Sequence, residues 1–244
     1  MKINLMTWNT QLHEFGNKSF KNKTIRDGIQ KLDEQKEVVL KHLQKENSIV
    51  VLQEIPYKDN TTWEEHELFK KFNIYFPEDK FKKIYNVSSK GQIKMTMVLA
   101  KNGLIERNND GINNNCCVSF LVNGVDLNIL GVHSHNAFEL RTWLREKELF
   151  RPDIMLGDFN AGNYIKDKND NEIAVNRQNY LLLMEGYIDI CQGLYTHRIF
   201  RTHIDHILLE NSNKFWDNYS YNNVVVDRTV SLSDHYPIYC EIEN

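Results

Sequence analysis

Five short segments of this chain share one pattern: an apolar run that ends on Asn, Asp, Glu or His. They are Thr7-Trp8-Asn9, Leu52-Gln53-Glu54, Gly131-Val132-His133, Leu156-Gly157-Asp158-Phe159-Asn160, and the pair His203-Ile204-Asp205-His206 with Ser233-Asp234-His235-Tyr236-Pro237. The C-terminal ends of strands are where α/β sheets build their sites, because the strand fixes the backbone and its end opens to solvent. One such segment means little, since a lone Asp or Glu after a strand is more often a helix cap or a turn residue. An ordered set along one chain constrains the fold far more: several buried strands must bring their polar ends together.

Composition narrows the class. At 244 residues, with 41% apolar and 26% charged side chains, the chain has an ordinary globular make-up, which excludes collagen, coiled coil and wholesale disorder. No run approaches the roughly 18–20 apolar residues of a membrane helix, so no membrane partner is expected. The opening Met1-Lys2-Ile3-Asn4-Leu5-Met6-Thr7-Trp8 carries one cation and no apolar stretch of signal-peptide length. It reads as a strand, and a cytoplasmic location is the expectation. The net charge is -3 and the pI about 6.3, so bulk positive charge does not bring nucleic acid to this protein; a polyanion must meet a local cationic patch or a bound metal. Cys116, Cys117, Cys191 and Cys240 form no CxxC pair, which excludes a zinc ribbon. Reduced, buried thiols are expected, with the adjacent pair on opposite faces of a strand.

The periodicities give mixed strands and helices. Residues 2–9 read as a first strand. Val38, Val39, Leu40 and Leu43 give 33–46 an apolar helical face. Ser48 to Gln53 is a short β-branched run of the buried kind, and Lys94 to Ala100 is another strand. Thr62-Trp63-Glu64-Glu65 fits a capping box ahead of Leu68, Phe69 and Phe72. The runs 116–122 and 125–132 flank Asn123-Gly124, the strongest short hairpin signal. Asn136 with Glu139 resembles a helix start, with Leu140, Trp143, Leu144 and Leu149 on its inner face. Residues 153–157 read as a strand, 176–185 as a helix stopped by Gly186, and 203–209, 223–226 and 236–242 as strands. The polar stretches 13–31, 78–92, 106–115 and 163–176 read as surface loops. No repeat and no linker appears, so one domain is expected.

The ordered set resembles the endonuclease/exonuclease/phosphatase superfamily, which includes pancreatic-type deoxyribonucleases, abasic-site endonucleases, sphingomyelinases and inositol-polyphosphate 5-phosphatases. Gly157-Asp158-Phe159-Asn160 and Ser233-Asp234-His235-Tyr236-Pro237 are the most specific pieces, and the resemblance runs from Asn9 to Pro237. It implies an α/β fold, a four-layer αββα sandwich of two mixed sheets with helices outside, and metal-dependent hydrolysis of a phosphate ester. The residues agree: Glu54, Asp158, Asp205 and Asp234 together would repel one another unless a hard cation or a histidine neutralises them. Oxygen ligands without Cys favour Mg²⁺ or Mn²⁺ over zinc.

By this resemblance Glu54 is the main metal ligand, Asn9 sits beside it as ligand or phosphate contact, and Asp234 shares the metal. Asp158 orients and deprotonates the attacking water, and Asn160 hydrogen-bonds the phosphate and that water. His235 donates to a non-bridging oxygen while Asp205 holds its imidazole in one tautomer. His133 matches the second histidine of the deoxyribonuclease-like branch, which assists the leaving oxygen or binds phosphate. One metal is the minimum. Trp8 and Phe159 read as core residues, and His135 shares a strand face with His133. His206 reads either as an outward-facing strand residue or as a direct participant. Thr196 stands where family members often carry a substrate-facing Thr or Trp.

Three departures stand out. Gln11 replaces an acidic residue of the abasic-site endonucleases, and His203 replaces an Arg. The carboxylate that pairs with the second histidine has no counterpart, and Lys94 is near its place. The Trp-Cys-Asp-Arg segment of the 5-phosphatases is absent, which leaves nucleic acid as the leading substrate, with Lys94, Arg141, Arg145, Arg198 and Arg201 as contacts. The expectation is a monomeric Mg²⁺- or Mn²⁺-dependent nuclease acting on DNA or RNA. The alternatives are a phosphatase or phosphodiesterase for a small nucleotide or other phosphoester, and a binding module without catalysis.

Overall fold

The structure is a computed structural model that describes residues 2–243 except 60, 86–92, 102, 108–114, 135–139, 143, 145–150, 163–170, 213–215 and 217–218, with the backbone alone at 171–176. Strand β1 (Lys2–Asn9) leads through a 3-10 turn at Leu12–Glu14 to helix α1 (Ile25–Leu43), β2 (Ser48–Pro56), α2 (Glu67–Tyr75), β3 (Phe81–Tyr85), β4 (Lys94–Lys101) and β5 (Ile105–Arg107). There follow β6 (Cys116–Val122), β7 (Val125–His133), β8 (Ile154–Asp158), α3 (Asn171–Leu183), β9 (Tyr187–Asp189), β10 (Asp205–Glu210), β11 (Ser220–Val226) and β12 (Ile238–Glu243). Residues 140–142 and 144 are also helical.

The strands form two six-stranded mixed sheets, in the orders β11-β12-β1-β2-β4-β3 and β5-β6-β7-β8-β10-β9. Each sheet has one parallel pair at its centre, β1 with β2 and β7 with β8, and its other neighbours are antiparallel. Parallel partners end at the same edge, so Asn9 stands in register with Gln53 and His133 with Asp158. This topology alone gathers four of the polar strand ends.

Alternation along the strands builds the layers. Ile3, Leu5, Ile49 and Val51 face Ile129, Ile154, Leu156 and Ile207 across the centre of the sandwich. The intervening Met6, Trp8, Val50 and Leu52 face Leu32, Val39, Leu68 and Phe72 of the helices. On the far side Leu130, Val132, Met155 and Leu208 meet Leu140, Tyr180 and Leu183. The central strands are therefore buried on both faces, which is why they read as unbroken apolar runs. The result is a single-domain αββα sandwich. All four cysteines are free and buried, and Cys116 faces the inter-sheet core while Cys117 faces the helical layer.

Several boundaries differ from the sequence reading. Helix α1 begins at Ile25 and not at residue 33, because Thr24 and Asp27 form a capping box. Gly28 looks like a loop residue, yet it lies inside this helix; an added Cβ would stand 2.7 Å from Phe15 Cβ and 2.9 Å from Leu68 Cδ1. Only glycine lets the helix approach so closely. The expected cap at Thr62 is instead a turn, with Thr62 Oγ1 accepting from Glu64 N, and His66 Nδ1 caps α2 by accepting from Leu68 N. The edge strands β3 and β5 and the first turns of α3 fall in stretches read as loops. The hairpin turn is where it was expected: Asn123 and Gly124 both have positive φ, 50° and 80°, as a type I′ turn requires. The helix start read at Asn136–Glu139 lies outside the described residues.

Candidate active site

Two backbone irregularities aim the side chains at the sandwich edge. The β2–β4 register shifts between Leu52 and Ile55, and Glu54 has φ 61°. A bulge of this kind re-aims a side chain next to a site. In β8, Gly157 has φ 148°, and a Cβ there would lie 1.9 Å from Val132 O. The missing side chain lets β8 run against β7 immediately before Asp158. Asn160, with φ 48°, turns the chain so that its own N–H donates to Asp158 Oδ1 at 2.9 Å.

Asp158, His235 and Asp205 form one buried unit. Both oxygens of Asp205 lie 2.9 Å from His235 Nδ1, which fixes the ring with Nε2 toward Asp158 Oδ2 at 3.8 Å and Asp234 Oδ1 at 3.9 Å. Burial works against charge on His235, but Asp205 and Asp158 outweigh it and lift the pKa to about 10. Burial raises the Asp158 carboxyl above its ordinary value, against the pull of His235 and with Asp205 adding to the rise. Burial also opposes ionisation of Asp205, yet His235 and the Thr196 hydroxyl hold that carboxyl below its ordinary value. Across the sheets Asn9 Nδ2 donates to Asp158 Oδ2 at 2.9 Å. The His235 carbonyl accepts from Trp8 Nε1 at 3.1 Å, and Ser233 Oγ donates to Asn9 O at 2.8 Å, so the last motif is tied to β1.

Glu54 is surrounded by basic groups. Lys94 Nζ stands 2.8 Å from Oε1, His133 Nε2 stands 3.4 Å from the same oxygen, and His13 Nδ1 stands 2.8 Å from Oε2. Burial opposes its charge, but His13, His133 and Lys94 drive the pKa well below the ordinary value. Asp234 is half-buried and contacts Gln11 Nε2 at 3.1 Å and His197 Nε2 at 3.5 Å. Its pKa is lowered, with burial opposing and His197 and His235 prevailing.

Asn9, Glu54, His133, Asp158, Asp205, Asp234 and His235 thus share one edge, and Asn160 follows Asp158 there. The assignments of Thr196 and His206 need correction, and the others have these partners. Thr196 cannot face substrate, because it is fully buried and its hydroxyl accepts from Ile204 N and Asp205 N at 3.2 and 3.1 Å. His206 does not face outward, for it is fully buried under Tyr180. Asn9 spends its amide on Asp158 and its oxygen on Gln11 N at 3.1 Å. Lys94 binds Glu54, and Glu54 also supplies the carboxylate that His133 seemed to lack. Asn160 Nδ2 donates to Ser134 O at 3.0 Å. Arg141 is half-buried in the short helical stretch, Arg198 and Arg201 are exposed beside His197, and Arg145 and His135 lie outside the described residues. Sequence reasoning missed His13 and His197, and it named Gln11 only as a departure from the abasic-site endonucleases. For His13 the only signal was its closeness to Asn9.

The chain is thus a two-sheet αββα sandwich whose edge gathers carboxylates, histidines and asparagines. No family model matches the sequence, and no curated protein matches it either. Solved structures do. An endonuclease/exonuclease/phosphatase from Bacteroides vulgatus is similar over 100% of this chain and 99% of that one, at TM-score 0.64 and 14% identity. The endonuclease domain of TRAS1, a telomere-specific non-LTR retrotransposon, covers 99% of each chain at TM-score 0.61 and 12% identity. D. rerio TDP2 complexed with single strand DNA product covers 100% of this chain and 99% of that one, at TM-score 0.59 and 14% identity. The chain has the fold of the endonuclease/exonuclease/phosphatase superfamily.

Proposed function

We propose that this chain is a metal-dependent phosphodiesterase, a nuclease that hydrolyses DNA or RNA through a water activated at Asp158. The observation that carries this reading is the unit in which Asp158, held by Asn9 and Asn160, faces the His235 imidazolium backed by Asp205. TDP2 with its single strand DNA product and the TRAS1 endonuclease support nucleic acid as the substrate class. The exposed Arg198 and Arg201 on the turn after His197 add local positive charge for a phosphate backbone.

The residues fit a hard cation. Glu54 is fully ionised and already carries the cationic Lys94 on one oxygen and His13 on the other, so it is a carboxylate arranged to meet positive charge. Glu54 and Asp234 would hold Mg²⁺ or Mn²⁺, with Asn9 beside them, since oxygen donors suit these ions. When bound, the ion supplies charge neutralisation for the phosphoryl and leaving oxygens.

The chain's own groups do the rest. Asp158 accepts a proton from the attacking water, and its raised pKa suits that task. His235 stays charged and donates from Nε2 to a non-bridging phosphoryl oxygen, while Asp205 keeps the ring from rotating. Asn9 and the Asn160 N–H hold both oxygens of Asp158. His133 stands against Glu54, so it orients that carboxylate.

The test is a hydrolysis panel of supercoiled plasmid, single-stranded DNA, RNA and a phosphomonoester, each with Mg²⁺, Mn²⁺ or EDTA, with Asp158→Asn as control. Metal-dependent cleavage of a polymer that the variant lacks is the expected result. Release of phosphate from the monoester alone would transfer the protein to the phosphatases. Near-wild-type cleavage by a folded Asp158→Asn would remove Asp158 from its role.

A further inference from the structure

On the face of β10 opposite Asp205, a second cluster of ligating side chains lies under α3. Its centre is one oxygen, Asp189 Oδ2. His206 Nδ1 lies 2.9 Å from it, His203 Nε2 lies 3.5 Å from it, and the Tyr180 hydroxyl donates to it. Asp189, His203 and His206 are 9%, 8% and 0% exposed, so each is more than nine-tenths buried. Their ligand atoms lie within 4.8 Å of one another.

The two imidazoles are oriented as ligands are. His206 Nε2 stands 2.6 Å from Ala161 O; a carbonyl only accepts, so that nitrogen carries a proton. With Nε2 committed to that carbonyl, Nδ1 meets Asp189 Oδ2 at 2.9 Å through a proton, which the carboxylate favours on the ring, or through a metal ion in that proton's place. His203 Nε2 is buried without a hydrogen-bond partner and faces the same oxygen. Metal-bound histidines characteristically donate their other N–H to a backbone carbonyl or carboxylate, as His206 does to Ala161. The spacing also suits an ion. Zinc bonds to imidazole and carboxylate are about 2.0–2.1 Å, so the donors of a tetrahedral site stand about 3.3–3.4 Å apart. The 2.9 and 3.5 Å separations bracket that value.

We propose that Asp189 Oδ2, His203 Nε2 and His206 Nδ1 form a site for one divalent ion of the zinc class, with the Tyr180 hydroxyl beside them. Two imidazole nitrogens select such an ion over Mg²⁺. The site is structural. It ties β9 to the segment entering β10, and through His206 and Ala161 it fixes the turn that carries Asn160. It shares no residue with the edge that binds Mg²⁺ in the reading above, so either assignment stands or falls without the other.

The experiment uses the full chain, stripped with a chelator and returned to saturating Mg²⁺, which this nitrogen site rejects. Co²⁺ is titrated in and read by visible absorption, and Zn²⁺ is then added as competitor. The expected result is one equivalent of Co²⁺ with the strong d–d bands of a four-coordinate site, displaced by Zn²⁺. His203→Ala weakens Co²⁺ at least about tenfold, whereas Glu54→Gln leaves it unchanged. Asp189→Asn, nearly isosteric, is the second variant should the first not fold. Absence of stoichiometric d–d bands, or binding that both variants retain at full strength, would overturn the proposal and leave a buried imidazolium–carboxylate pair.

Discussion

Thr196→Val separates a scaffold from a substrate contact. The Thr196 hydroxyl accepts from Ile204 N and Asp205 N at 3.2 and 3.1 Å and donates to the Asp205 carboxylate. Valine keeps the shape and deletes all three bonds. Two buried N–H groups left without this acceptor cost roughly 1 kcal/mol or more each, and a bond to a charged carboxylate adds about 1.5–3 kcal/mol. The loss is on the order of 4 kcal/mol, against roughly 5–15 kcal/mol of total stability. The protein should still fold, with its melting midpoint lowered by on the order of 10 °C. Urea unfolding followed by tryptophan fluorescence should show the midpoint falling at constant slope. Turnover should fall with it, because Asp205 loses the group that anchors it, while KM changes little. Thr196→Ser should restore both. A substrate-facing threonine gives the opposite signature: KM rises and stability stays within about 1 kcal/mol of wild type. That outcome would refute the reasoning.

Lys94→Met removes an ammonium 2.8 Å from Glu54 Oε1, so the half-saturating Mg²⁺ concentration should fall roughly tenfold, about 1.4 kcal/mol of relieved repulsion; Glu54→Gln should raise it, and calorimetric Mg²⁺ titration checks both. His42 is buried, with Nε2 3.3 Å from Asn4 O and Nδ1 without a partner. Burial, with Lys45 adding to it, depresses its pKa from 6.5 to about 4. Its contribution to stability is therefore complete above pH 6.5 and lost as pH falls through 4, a change on the order of 3 kcal/mol. Denaturant midpoints across that window should show the decline, and His42→Gln should flatten it.

The sequence carried the strand ends well, because buried strands and their polar termini are local patterns. Asn123-Gly124, the apolar run 48–53 and the pairing of Asp205 with His235 all rest on short-range chemistry or on motif order. What it hid depends on distance through space. Lys94 and Glu54 are 40 residues apart, and nothing local says that a cation entering β4 meets the bulge in β2. His13 and His197 sit in polar stretches where a histidine has no periodic signature. The early start of α1 was masked by Gly28, which reads as a breaker until Phe15 and Leu68 are seen against it. Thr196 carried a family precedent toward substrate, and only its burial and its three hydrogen bonds revealed a scaffold.

Under the proposed function, the charge balance at the edge decides how an acidic protein would receive an anion. Glu54, Asp158, Asp205 and Asp234 would together repel a phosphate diester. Each has a basic side chain at short range: Glu54 has Lys94, His13 and His133, Asp205 and Asp158 have His235, and Asp234 has His197. The pKa of His235, lifted to about 10, makes its charge permanent at neutral pH. Four carboxylates against Lys94 and the charged His235 leave the edge net negative, and a divalent cation bound at Glu54 and Asp234 would neutralise it, so in the proposed function the step that completes the site would also remove its repulsion of a phosphate. The chain-wide charge of -3 works against this only weakly, since charges more than about 8–10 Å away are screened at physiological salt. Association with nucleic acid should therefore follow the local balance, slowing with added salt and, at fixed ionic strength, quickening with Mg²⁺.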